Sequence, residues 1–183
     1  MTEGDPTALP ATPLALLAHE RARAVVPPLL LAHSFRTFLL GRAYARAKAV
    51  DLDEEGFYVA ALFHDFGLAA GRSTRAEPFP RSSGRDLEAF LVEQGWGREK
   101  IGPLRDAIEL HMGLLPRWRR GPIVGLLQVG AWMDVTRLRR LSVWRAASAI
   151  ERAYPRAGLD WRFPPLLLGV GPLRCARLLL GGR

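Results

Sequence analysis

Only one cysteine, Cys175, occurs in the 183 residues. A single thiol excludes a disulfide framework and a cysteine-based zinc site. Long apolar runs are also missing. The most apolar stretch, residues 121–133, stops after 13 residues at Asp134, too short to cross a bilayer. The first six residues carry Glu3 and Asp5 and no basic residue, so they do not resemble a secretory signal. No clean period-two alternation and no internal repeat is present, which argues against sheets and solenoids. Lysine is scarce, two against 24 arginines, and there are only four histidines. What remains is ordinary for a globular chain: 49% hydrophobic and 24% charged residues, at a length that buries roughly 70% of the unfolded surface. The expectation is a soluble, cytoplasmic, all-α protein built around a single compact helical domain.

The net charge of +8 is unevenly placed. Residues 1–136 hold 16 basic and 16 acidic side chains, whereas residues 137–183 hold ten arginines against Glu151 and Asp160. A basic segment can contact phosphates, but this one has no basic run interleaved with aromatics. Specific nucleic-acid binding is therefore not expected, and the sequence sets no oligomeric state.

Helical periodicity runs through residues 11–26, 29–50 and 53–67, with Asp53 as N-cap and Glu54 and Glu55 in the first turn. Residues 69–80 read as a mobile loop rich in Gly, Pro, Arg and Ser. Ser83 to Asp86 has the spacing of a capping box and predicts a helix start there. Gly95 and Gly97 break that helix. Further helices are expected over 99–112, 123–135, which is apolar on all sides, and 142–154, with a short last one around 173–180. Residues 1–28 form an N-terminal helical segment packing on the core, 29–140 the core itself, and 141–183 a basic C-terminal helical extension.

His19 lies among charges and reads as a surface or half-buried residue. His33, His64 and His111 each fall on the apolar face of a different helix, and Asp65 and Asp134 interrupt apolar sequence. Buried carboxylates are costly unless paired or bound to a cation. Imidazole with carboxylate suits divalent zinc, iron, manganese, nickel or cobalt. Separate buried hydrogen bonds are the alternative that composition leaves open.

Four segments carry a resemblance: Ala32-His33-Ser34-Phe35-Arg36, the run from Ala60 through His64-Asp65 to Gly67, Ala107 to His111, and Gly130 to Asp134. In this order they resemble the HD-domain superfamily of metal-dependent hydrolases over about residues 29–140. With Gly95-Trp96 ahead of the His111 helix, they are most similar to its cyanamide hydratase-like branch. The resemblance implies an all-α HD domain in which His33, His64, Asp65 and Asp134 ligate one divalent transition metal, zinc or iron favoured. Two-metal relatives resemble a pattern with two further histidines, where this chain has only His111, so one ion is expected. His111 then becomes an acid/base or substrate contact, and Arg36 a residue that orients a carboxylate by forked hydrogen bonds.

The chain departs from related patterns at two places. A nucleotidase-type branch carries Glu three residues after the Asp, where Leu68 stands here. The lid segment of the branch is acidic after its Phe, whereas here Phe79 is followed by Pro80 and Arg81. Arg72, Arg75, Arg81 and Arg85, and Arg117, Arg119 and Arg120 around Trp118, make two basic loops expected to border the site. Arg81, Trp118 and Arg119 are thus candidate substrate contacts. The expected function is addition of metal-activated water to a small molecule, nitrile- or cyanamide-like by resemblance. A phosphohydrolase acting on a small phosphate ester or nucleotide is one alternative, and a non-catalytic HD scaffold that binds a ligand or partner is another.

Overall fold

The computed structural model describes residues 5–69, 77–138 and 140–161, together with Ala176, Leu179 and Leu180. Seven α-helices are present among them: α1 (Pro13–Val25), α2 (Pro28–Ala47), α3 (Glu54–Phe63), α4 (Phe79–Glu93), α5 (Arg98–Leu110), α6 (Pro122–Thr136) and α7 (Trp144–Ala153). Short 3-10 turns occupy Phe66–Leu68, Trp118–Arg120 and Arg140–Val143. No strand occurs among the described residues, and no helix of theirs is long and apolar enough to cross a membrane.

The helix starts follow from local chemistry. Thr12 accepts the Ala15 amide and Asp53 accepts the Gly56 amide, each satisfying an N-terminal donor that its helix cannot. Proline sits in the first turns of α1, α2, α4 and α6, where no amide hydrogen is needed. α1 buries Ala15, Ala18 and Ala22, spaced three and four residues apart, and packs on α3.

α2 and α6 share the most extensive helix contact. Gly130 lets them approach: a Cβ there would collide with the Thr37 carbonyl oxygen. One continuous core extends from Ala15 to Leu159 and draws on all seven helices. Phe38, Phe57, Tyr58, Phe63 and Phe66 fill its centre, with Phe63 and Phe66 stacked at 4.2 Å.

Two sequence expectations shift. α4 begins at Phe79 rather than Ser83, so the serine of the capping-box spacing lies inside the helix. Its side chain is used elsewhere, as described below. α3 ends at Phe63, and His64 is its C-cap rather than a residue inside a longer helix. The loop expected over 69–80 and the last helix over 173–180 fall largely outside the described residues, as do Arg72, Arg75 and Cys175.

Candidate metal centre

His33 lies in the second turn of α2, while His64 and His111 are the C-caps of α3 and α5. Asp65 follows at the turn into the first 3-10 segment. All four side chains are buried. The turn is held by Gly67, whose amide donates to Ser83 Oγ of α4 at 2.8 Å. A side chain at Gly67 would collide with the Phe79 carbonyl and Ser82.

Each imidazole is fixed through Nδ1, and helix geometry decides by what. At a helix C-terminus the last carbonyls lack intrahelical partners. His64 Nδ1 therefore donates to the Ala61 carbonyl at 2.7 Å, and His111 Nδ1 to the Ile108 carbonyl at 2.7 Å. His33 is inside its helix, where carbonyls are taken by the helix ladder. Its Nδ1 donates instead to a side chain, Asp134 Oδ2, at 2.7 Å. A neutral imidazole that donates through Nδ1 has a lone pair at Nε2.

The three Nε2 atoms converge on Asp65. His33 Nε2 and His64 Nε2 lie 3.7 and 3.4 Å from Oδ2, and His111 Nε2 lies 3.5 Å from Oδ1. His64 Nε2 and both Asp65 oxygens are buried with no hydrogen-bond partner. Burial pushes the His64 pKa down to about 3, so this ring is neutral at ordinary pH. Burial raises the Asp65 carboxyl, but the imidazoles of His64, His111 and His33 around it outweigh that and hold it below the usual range. The result is a carboxylate and the neutral His64 ring facing each other out of water, with His33 and His111 beside them. A cation among them would satisfy these groups.

One ligand atom each from His33, His64 and Asp65 lies within 4.8 Å of the others. Ligand atoms about 2.0–2.1 Å from a tetrahedral ion stand about 3.3–3.5 Å apart, close to the separations seen. These three residues could hold a metal ion.

Asp134 is not in that group. Its Oδ1 accepts from Arg36 Nε at 2.8 Å, Arg156 at 3.0 Å and Arg140 at 3.3 Å; its Oδ2 accepts from His33 and from Arg36 at 2.9 Å. Burial raises this carboxyl too, yet the His33 hydrogen bond and the Arg36 guanidinium prevail and hold it below the usual range. Arg36 forks across both oxygens and also donates to the Tyr154 and Pro155 carbonyls at 3.1 and 3.0 Å. Arg140 bonds Glu151 at 2.7 Å, and Arg156 pairs with Asp160. Arg140 and Arg156 were not singled out by the sequence. Glu151 and Asp160, the only acids of the basic segment, were the available signal for an ion network there.

Arg81 and Arg119 are exposed. Trp118 is seated against Gly125 and stacks on Tyr44 at 6.2 Å. Tyr44 is 11 residues, about 16 Å of helix, from His33. An apolar group also flanks His111: the Phe79 ring, 5.6 Å away, packs with Met112, Leu68 and Leu179. Gln128 and Trp132 of α6 hold the turn after His111 by bonding the Gly113 carbonyl at 3.1 and 3.0 Å. Comparison of the chain with protein-family models and with curated proteins finds no match.

Proposed function

We propose that this chain is a metal-dependent hydrolase or hydratase of the HD type, adding water to a small uncharged substrate such as a nitrile- or cyanamide-like carbon. One observation carries the proposal: His33, His64, Asp65 and His111 face each other in a buried place with His64 Nε2 and both Asp65 oxygens unbonded. A divalent transition metal there, zinc or iron by the character of the donors, would supply a water of lowered pKa and polarise the substrate.

His33, His64 and Asp65 would hold the ion. His111 stands at the Asp65 oxygen opposite to the one facing His33 and His64, where it can take up and pass on a proton. Arg36 touches no substrate in this arrangement and braces Asp134. The apolar group of Phe79, Met112, Leu68 and Leu179 beside His111 excludes water and suits an uncharged substrate. Arg36, Arg140 and Arg156, the arginines nearest in the bonding network, are bound to Asp134, which favours an uncharged substrate over a phosphate ester.

The test is metal analysis of protein never exposed to a chelator, followed by a substrate panel. About one transition-metal ion per chain is expected, lost in His64→Ala and Asp65→Ala, with hydration of a nitrile-like substrate. Metal-free protein from metal-rich medium overturns the proposal. Release of inorganic phosphate without hydration overturns the substrate class.

A further inference from the structure

We propose that Asp134 is a positioning residue that acts through His33 rather than a metal ligand, and that Arg140 and Arg156 couple the C-terminal segment to metal affinity through it. This rests on the metal-binding reading of His33, His64 and Asp65.

A carboxylate offers about four lone-pair sites. Asp134 receives five donor contacts, one from His33, two from Arg36 and one each from Arg140 and Arg156. No acceptor site is left for an ion, and an ion at this carboxylate would sit among three guanidinium cations. The carboxylate is not free to turn away, because Arg36 is fully buried and anchored on the Tyr154 and Pro155 carbonyls. Arg156 additionally donates to the Asp134 backbone carbonyl.

What the carboxylate does is fix one proton. His64 and His111 have helix-end carbonyls to hold Nδ1–H, and His33 has none, so its tautomer and ring direction depend on Asp134. Through this bond His33 presents Nε2 toward Asp65. Carboxylates that hold a ligating imidazole in this way change metal affinity about 10–100-fold when altered. Arg140 leads into α7 and Arg156 follows it, so the C-terminal segment reaches the centre through one carboxylate.

The experiment uses the full chain loaded with Zn(II), NMR of its 15N-labelled imidazoles, and metal affinity by chelator competition. Wild-type protein should show a slowly exchanging downfield proton on His33 Nδ1. In Asp134→Asn that proton should move upfield, because a neutral amide oxygen replaces the carboxylate. This variant should still bind one ion, with affinity lowered about 10–100-fold. Should the three arginines prevent it from folding, Arg156→Gln removes a single donor and should weaken affinity less than tenfold while keeping stoichiometry. Absence of the His33 Nδ1 proton in zinc-loaded wild type, a folded Asp134→Asn that binds no metal, or unchanged affinity in Arg156→Gln overturns the proposal alone. Wild-type protein that binds no ion overturns it together with the metal-dependent function.

Discussion

Ser83 Oγ accepts the Gly67 amide at 2.8 Å, and that bond ties the turn carrying His64 and Asp65 to the middle of α4. Ser83 is fully buried. Ser83→Ala leaves a buried amide without an acceptor and should cost about 1–3 kcal/mol. Denaturant melts should show the loss of stability, and chelator competition should show weaker metal binding, because the Asp65 turn loses its anchor.

His111→Ala should separate proton handling from metal binding. The ion should remain, since His33, His64 and Asp65 are untouched. Turnover should fall on the order of a hundredfold or more, as for a lost acid or base. Metal analysis beside single-turnover kinetics checks both halves. Loss of the ion together with activity would make His111 a ligand.

Substitutions at the exposed arginines should be silent. Arg81 and Arg119 lie at the surface, so Arg81→Ala and Arg119→Ala should leave KM for an uncharged substrate unchanged. A strong rise in KM would instead show a forked contact to an anion.

Metal-free protein should lose stability on acidification. The His64 pKa falls from 6.5 to about 3 on burial. Between those values the unfolded chain binds a proton that the folded chain refuses, so folding stability rises with pH across this window. Asp65 and Asp134, both held below the usual carboxylate range in the fold, contribute stability that is present above their unfolded pKa and is lost as pH falls from there through the folded one. The signs agree. Thermal melts of chelator-treated protein should therefore decline steadily below about pH 6.5. A Tm independent of pH from 7 to 4 would contradict the buried neutral state of His64.

Much of the helical frame was legible because its signals are local. Apolar residues at helical spacing, Asp53 as a cap, the breaks at Gly95 and Gly97 and the all-round apolar character of α6 each depend on near neighbours alone. The start of α4 was misplaced for the same reason. Ser83 has the spacing of a cap, and nothing nearby in sequence reveals that its hydroxyl answers an amide 16 residues away. His33, His64, Asp65 and His111 could be picked out as polar groups in apolar surroundings, and the structure brings them together. Trp118 and Arg119 could be seen only as close to His111 in sequence, whereas the 3-10 turn carries Trp118 onto Gly125 and Tyr44.

The sequence by itself determined the all-α frame and the stock of buried imidazoles and carboxylates, because periodicity and the cost of burying charge act residue by residue. Tertiary structure alone decided which carboxylate faces the imidazoles. Asp65 stands at a helix end where three Nε2 atoms converge, while Asp134 lies where α2 and the segment after α6 bring Arg36, Arg140 and Arg156 onto it across 98, 6 and 22 residues of chain. Two carboxylates alike in sequence thus differ in surroundings: one faces imidazoles, the other guanidinium donors.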